Sequence, residues 1–560
     1  MGRDNAARRS IMKGVDAIAQ ILKKEGVDFI GCIPYNTLEE AAAKAGVRPM
    51  LFRQERVGIN TADGFSRVTN GRRIGVFTMQ AGPGAENGFP GVAQAYSDST
   101  PILILPAGAN RDRSGVRPTF SPTRSYRDVT KWADTINMPQ RIPEMMRRAF
   151  SQLRSGRPSP VLVEMPTDVM RADVDDTTVS AYKPVSPHRA AGDPGDVKAA
   201  ASALLKAKRP VIHAGQGVLY SEAWKELREL AELLQAPVMS TLGAKGVFPE
   251  DHPLALGAGG ASTTAPVMRF LQNADLVFGI GCSFTRTHFG VDVPPGKTIV
   301  HCTNDESDIN KDYNPDYAVI GDARLVLRQV IDEVKAQAGS NVPREAPEVA
   351  REVKAVKDAW LGEWMPKLTS DETPINPYRV IWEMMRALDR RKAIVTHDSG
   401  SPRDHMSPFF ETLTPRGFLG WGKSTQLGYS LGLALGAKLA APDKLCINVL
   451  GDFAFGMVGL DMETAVRERI PVLTIVLNNS GMGIYQPERF AVSHKLYNIK
   501  RLTGRYDMVA QAMGAWNERV ERPEDIAPAL RRAQKVTEAG QPALLEIITR
   551  EEHSFSFKDR

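Results

Sequence analysis

Asp452 and Asn479 are a carboxylate and a carboxamide 27 positions apart, and each closes a β-branched apolar run. The runs are 445–450, followed by Gly451-Asp452, and 471–477, followed by Asn478-Asn479. The stretch between them, 459–469, reads as a helix. A strand–helix–strand crossover makes the two strands parallel and brings both residues to one edge of the sheet. That carboxyl edge is where open α/β sheets bind ligands. Hard oxygen donors suit magnesium, which takes few protein ligands and completes its shell with phosphate and water. Gly451 at a helix start leaves backbone N–H groups free to meet an anion. Either fragment alone is common turn chemistry, Gly-Asp after a strand or Asn-Asn before a turn. Joined in one crossover, they predict a magnesium–diphosphate site.

The elements that carry this pair belong to the last of three blocks. The first, 1–185, alternates helical stretches at 5–24 and 56–68 with short apolar runs at 27–33, 74–77, 102–106 and 160–164. Alternating βα units predict a parallel sheet covered by helices. The stretch 174–196 turns polar and rich in Pro and Gly, as linkers do. A second block, 197–340, repeats the style, with strands at 210–213, 236–240, 276–280 and 298–301 and helices at 221–234 and 265–272. A polar stretch at 338–346 and a charged helix at 348–361 lead to the third block, 365–560. Its strands fall at 394–397, 445–450 and 471–477, and its helices at 424–439 and 459–469. Blocks one and three share a sub-pattern: a Gly-rich turn (Gly82-Pro83-Gly84; Gly451-Asp452 with Gly456), a helix, then a strand led by Pro101 or Pro471.

Composition narrows the class. The 560 residues are 42% hydrophobic and 24% charged, ordinary for a soluble globular protein. No apolar run approaches the roughly 18 residues of a membrane span, and MGRDNAARRS has no apolar region behind its charges. Ala6 stands where a myristoylation pattern takes Ser or Thr. A cytoplasmic location with no membrane partner is expected. Cys32, Cys282, Cys302 and Cys446 form no CxxC pair and read as buried thiols in a reducing compartment. The net charge of +6 is spread through helical segments, so no nucleic-acid surface is expected. No G-x-G-x-x-G follows a strand with an acid about 20 positions on, which argues against a simple NAD-binding fold.

Two independent sets of residues resemble the thiamine-diphosphate (ThDP) dependent enzymes. Gly451-Asp452-Phe453-Ala454-Phe455 through Asn478-Asn479 resembles the family's GD…NN cofactor motif. In block one, Arg53-Gln54-Glu55-Arg56, Ala62-Asp63-Gly64-Phe65-Ser66-Arg67, Gly82-Pro83-Gly84 with Asn87, Ala95-Tyr96-Ser97-Asp98 and Pro101 resemble its activation domain. The resemblance covers nearly the whole chain, in the expected order. It implies an α/β protein of three consecutive doubly wound parallel-sheet domains: a pyrimidine-binding domain (1–185), a central domain (197–340), and a diphosphate- and Mg-binding domain with a C-terminal lid (365–560). It also implies roles. Glu55 would hydrogen-bond the aminopyrimidine ring and so support removal of the thiazolium C2 proton. Asp452 and Asn479 would hold Mg2+, with the Gly481 carbonyl as third ligand. Leu427, 25 residues before Asp452, takes the place of the bulky wedge that bends the cofactor, where many relatives have Met. Ser399, Gly400 and Ser401 match the diphosphate loop, where small residues let backbone approach phosphate. Ile33, Pro34, Gly451, Phe453, Ala454 and Met482 complete the expected cofactor contacts. The family's site lies between subunits, which implies a homodimer or homotetramer.

The chain most resembles the acetolactate synthase, oxalyl-CoA decarboxylase and 2-hydroxyacyl-CoA lyase group. Ala454-Phe455-Gly456, Met462-Glu463-Thr464 and Gly483-Ile484-Tyr485 look like the acyl-CoA branch. Met482-Gly483 is similar to acetolactate synthases, yet Gln486-Pro487-Glu488 replaces their Gln-Trp-Gln, and 117–127 lacks the Gln of their acceptor-reading Phe-Gln. The expected activity is therefore a 2-hydroxyacyl-CoA lyase, cleaving its substrate reversibly to formyl-CoA and an aldehyde or ketone. The alternative is an acetolactate-synthase-like carboligase or a 2-oxoacid or oxalyl-CoA decarboxylase. An acyl-CoA and an aldehyde or ketone are the expected small-molecule partners. In the tail, 485–498 is expected to close over the site, with Glu488, His494 and Tyr497 as proton-transfer candidates. The stretch 550–560 reads as a lid or a frayed terminus. FAD is not expected, because Gly215-Gln216-Gly217 is only a short turn. An ADP-like nucleotide fits the central block, with Asn304, Asp305 and Asp322 as candidate contacts.

Overall fold

Short apolar runs bounded by Gly, Pro and charged residues form strands here because helices cover both faces of each sheet and demand continuous burial. The computed structural model describes residues 11–35, 37–342, 346–420, 423–424 and 426–557. They divide into two units, Met1–His188 and Arg189–Arg560.

The first unit holds a six-stranded sheet in the order Arg48–Leu51, Phe29–Cys32, Gly75–Met79, Ile102–Gly108, Val161–Pro166, Trp132–Thr135, with every pair parallel. Its four interior strands are buried at every residue. One expectation is corrected at the start of the chain. Of the helix read at 5–24, residues 5–10 lie outside the described residues, and the observed helix is Gly14–Lys24. Ile11–Lys13 is instead a strand, antiparallel to Asp173–Asp175. Gly14 explains the boundary: its N–H bonds the Ala172 carbonyl, and a Cβ there would stand 2.4 Å from the Val169 carbonyl oxygen.

A buried charge cluster sets the two helices of this unit that matter most. Arg67, on helix Glu55–Val68, donates to both carboxylate oxygens of Asp63 and, at 3.1 Å, to Asp98. Asp98 caps helix Pro83–Ser97 and also receives the Gln94 side-chain N–H at 2.9 Å. All three charged residues are at most 2% exposed. The Ala-Asp-Gly-Phe-Ser-Arg and Ser-Asp motifs are thus a clamp that fixes the helices beginning at Glu55 and Pro83.

The second unit contains two more parallel six-stranded sheets. The central one runs Ala255–Gly259, Val238–Thr241, Pro210–Ala214, Leu276–Ile280, Thr298–Thr303, Tyr317–Ile320. The C-terminal one runs Phe418–Leu419, Ala393–His397, Leu445–Gly451, Leu473–Asn478, Ala543–Ile548, Trp516–Val520. Numbering the strands within each parallel sheet, the first unit and the C-terminal sheet share the order 2-1-3-4-6-5, which gives structural form to the repeated sub-pattern. Lys245, 1% exposed, meets both oxygens of Glu250 at 2.6 Å, and Glu250 in turn receives the Thr412 N–H at 2.7 Å, tying central to C-terminal sheet layers. Among the described residues no helix is long and apolar enough to cross a membrane, and all four cysteines are buried free thiols.

Replacing Arg67 with Met removes the guanidinium that donates to both buried Asp63 and buried Asp98. Breaking such a network costs about 3–5 kcal/mol, so R67M is expected to lower the denaturant midpoint of the first unit markedly. An unchanged midpoint would mean the clamp carries no stability.

Candidate functional site

Strand Leu445–Gly451 ends on Gly451, and Asp452 opens helix Asp452–Val458. The next strand, Leu473–Asn478, runs parallel to it, so Asn479 emerges at the same edge. Asp452 is 1% exposed, and its two oxygens accept the Phe453 N–H at 2.8 Å and the Gly481 N–H at 2.9 Å. Burial outweighs these bonds and pushes its carboxyl up to about 6. Among the described residues no cationic side chain pairs with it. The two asparagines divide the work. Asn478 turns into the sheet, donating to Glu546 at 2.6 Å and accepting the Ser480 N–H at 2.9 Å. Asn479 faces the cavity, and its buried carbonyl oxygen has no hydrogen-bond partner. Gly483 makes room for it, since a Cβ there would stand 2.3 Å from the Asn479 amide nitrogen.

Of the expected cofactor contacts, Ser399, Gly400, Ser401, Leu427, Gly451, Asp452, Phe453, Ala454, Asn479, Gly481 and Met482 line one open pocket. Gly400 has φ of +82°, a backbone conformation open to glycine, and it opens helix Ser401–Phe409. The buried Ser401 hydroxyl has no partner. Pro377, His405, Ile484, Thr549 and Arg550 share the wall; of these, Ile484 belongs to the Gly483-Ile484-Tyr485 run and Arg550 opens the tail stretch 550–560, whereas nothing in the sequence marked Pro377 or Thr549.

Asp398 is the residue that sequence reasoning missed. It is fully buried at the end of strand Ala393–His397 and accepts four hydrogen bonds: Ser399 N–H at 2.8 Å, Gly428 N–H at 3.0 Å, Ser430 N–H at 3.0 Å and Ser430 hydroxyl at 2.7 Å. One carboxylate thereby joins the Ser399-Gly400-Ser401 loop to the turn that presents Leu427. Burial raises its pKa, and the four donors oppose that shift.

The tail candidates stand apart from the pocket lining. Glu488 is exposed on the short helix Pro487–Phe490. On helix Ala491–Tyr497, His494 is half-buried and Tyr497 is 78% exposed. The last described residues are docked, so they are no frayed end: Phe555 stacks on His405 at 4.9 Å, and the Ser556 hydroxyl donates to the Thr263 carbonyl at 2.6 Å. In the central sheet, Asp305 and Asp322 serve as helix caps, and Asn304 is exposed. Gly215 and Gly217 pack on Gly281, and a Cβ at Gly215 would lie 2.3 Å from the Gly281 carbonyl oxygen.

In the first unit, Glu55 begins its helix at the carboxyl edge and is 7% exposed. Burial raises its pKa, opposed by backbone hydrogen bonding and a hydrogen bond from Asn87. Ile33 and Pro34 follow strand Phe29–Cys32 at the same edge, half-buried and exposed respectively.

Three family models cover this chain: the N-terminal thiamine pyrophosphate (TPP) binding domain of TPP enzymes at 12–136, their central domain at 197–330, and their C-terminal TPP binding domain at 398–547. A probable acetolactate synthase large subunit of Methanocaldococcus jannaschii is 32% identical, over 96% of this chain and 92% of its own length. The chain belongs to the thiamine pyrophosphate enzyme family. The Escherichia coli K12 acetolactate synthase isozyme 3 large subunit is 26% identical, covering 98% and 97% of the two chains. A glyoxylate carboligase of Escherichia coli O157:H7 is 29% identical, covering 96% and 93%. This family's cofactor is thiamine diphosphate, and the pocket suits its charged end. Among the described residues no three His, Cys, Asp or Glu cluster around a metal position. The oxygen set of Asp452, Asn479 and the Gly481 backbone instead suits a hard cation that keeps phosphate and water in its shell.

Asp398→Asn puts an NH2 group where backbone donors converge and strands at least one of them, at about 1–3 kcal/mol each. ThDP affinity by calorimetry is expected to fall about 10–100-fold. Unchanged affinity would remove Asp398 from the positioning of the pocket.

Proposed function

We propose that this chain is a ThDP- and Mg2+-dependent carboligase that releases CO2 from a 2-oxo acid and joins the remaining unit to a second carbonyl compound. The observation that carries this reading is similarity over 96–98% of the chain to proteins named acetolactate synthase and glyoxylate carboligase. Those names favour the carboligase alternative over the acyl-CoA lyase that the sequence motifs first suggest. When bound, the cofactor supplies an electron sink for the carbon left by C–C cleavage.

The chain's own residues supply the rest. Asp452, Asn479 and the Gly481 carbonyl hold the cation. The backbone around Gly400 and Gly451 meets the diphosphate, and the Ser401 hydroxyl finds there the partner it lacks. Leu427 is the apolar prop. Glu55, buried and raised in pKa, holds a proton against the cofactor's pyrimidine ring and so works as a general acid–base relay. Ile33 and Pro34 edge the same site. Since Glu55 and Asp452 lie on separate units, a homodimer or homotetramer that completes the site between subunits is part of the proposal.

A second reading, the 2-hydroxyacyl-CoA lyase, keeps two specific supports: Gly483-Ile484-Tyr485, with Ile484 in the pocket wall, and the missing acceptor-reading Gln in 117–127. Mass spectrometry of products separates the two. Pyruvate or glyoxylate alone, with ThDP and Mg2+, is expected to give CO2 and a ligated hydroxy-oxo acid. A new 2-hydroxyacyl-CoA from formyl-CoA and formaldehyde, with no product from either 2-oxo acid, would replace the carboligase by the lyase. Glu55→Gln is expected to leave ThDP binding intact and slow exchange of its C2 proton by about 10²–10⁴-fold. Near-normal exchange by NMR would take Glu55 out of the mechanism.

A further inference from the structure

The segment 111–127, which follows strand Ile102–Gly108 at the carboxyl edge of the first unit's sheet, holds five arginines: Arg111, Arg113, Arg117, Arg124 and Arg127. Only Arg111 is committed, to Asp168 at 2.6 Å and to the Asn137 carbonyl at 3.0 Å. The other four are exposed and make no ion pair among the described residues. The nearby acids, Asp112 and Asp128, are exposed and likewise unpaired. Four exposed guanidinium groups with no ion-pair partner among the described residues raise the positive potential along one short segment, which favours an anionic ligand.

The segment's second half is anchored. The Tyr126 ring is fully buried, and its hydroxyl donates to the Ala85 carbonyl. Phe89 packs edge-on at 5.2 Å, and Thr130 donates to the Tyr126 carbonyl at 2.9 Å. Thr123 donates to Glu164 at 2.5 Å, and Ser121 caps the short helix Pro122–Ser125. Tyr126 also lies within reach of the Glu55 charge, which adds to burial in raising its pKa. Arg124 and Arg127 therefore flank a fixed residue that neighbours the proposed proton relay.

We infer that Arg113, Arg117, Arg124 and Arg127 form a platform that receives the multiply charged phosphate end of a carbonyl substrate whose reacting carbon lies at the site beside Glu55. Guanidinium forks match phosphate oxygens in geometry and charge, and several of them exceed what a single carboxylate needs. The inference rests on the carboligase reading only for which site the substrate reaches. Two sources share the chemistry, a phosphorylated aldehyde or ketone and the nucleotide phosphates of a CoA thioester.

The test is calorimetric binding of two probes to the full-length protein with ThDP and Mg2+: glycerol 3-phosphate for the first source and adenosine 3′,5′-bisphosphate for the second. At least one probe is expected to bind with Kd at or below about 1 mM, more weakly as salt rises. Arg124→Gln/Arg127→Gln is expected to weaken it about tenfold or more. Arg113→Gln/Arg117→Gln, in the fully exposed half of the segment, gives the same readout if the first variant misfolds. Binding of neither probe, or variants that bind as tightly as the parent, overturns the platform. Which probe binds identifies the source. Binding is read without turnover, so a chain that binds a probe yet makes no product from 2-oxo acids loses the carboligase reading and keeps the platform. A chain that turns over pyruvate and binds neither probe does the reverse.

Discussion

A carboxylate that has given up water without gaining a counter-charge governs the second unit. Two backbone N–H groups reach Asp452, and they do not offset its burial, so its carboxyl is pushed up to about 6. A divalent cation reverses that balance by favouring the ionised form. The surroundings fit this debt: a carbonyl oxygen on Asn479 with no partner, a glycine at 483 that lets that amide stand where it does, and a small-residue loop across the pocket. Buried polar atoms are paired as a rule, and a hard cation with its diphosphate would pair these.

Other buried charges place the parts around this one. Asp398 gathers four donors and thereby couples the Ser399-Gly400-Ser401 loop to the Leu427 turn. In the first unit the Arg67 cluster sets the relative position of two helices, one beginning at Glu55 and the other just after Gly82. The first and C-terminal sheets share one strand order, each has a helix starting at its carboxyl edge, at Glu55 and Pro83 in one and at Asp452 in the other, and each is matched by a TPP binding domain model.

Interior strands were legible because burial on both faces writes continuous apolar runs, as at 276–280, where expected and observed limits coincide. Edge strands were not. Arg48–Leu51, Trp132–Thr135, Tyr317–Ile320 and Trp516–Val520 are only partly buried and carry polar residues that read as loop. Ala543–Ile548 is interior, yet Glu546 interrupts its apolar run, and that glutamate is tolerated because Asn478 and Arg519 both donate to it. In the site, Asp452 and Asn479 could be paired because crossover topology fixes their meeting from spacing alone. Asp398 could not, since a lone acid after a strand looks like any turn residue until its donors converge from positions 428 and 430. Glu488, His494 and Tyr497 were chosen for residue type in a segment whose position no periodicity dictates, and the described structure leaves them outside the pocket lining.

The cation dependence of ThDP stabilisation tests the account most directly. Thermal unfolding would be followed with saturating ThDP in Mg2+ and again in EDTA. A ligand that binds only the folded chain at 100 times its Kd adds about 2.7 kcal/mol. A raised midpoint is expected in Mg2+ and none in EDTA. An equal rise in EDTA would contradict it, because the diphosphate would then be held without the cation that Asp452 and Asn479 are proposed to carry.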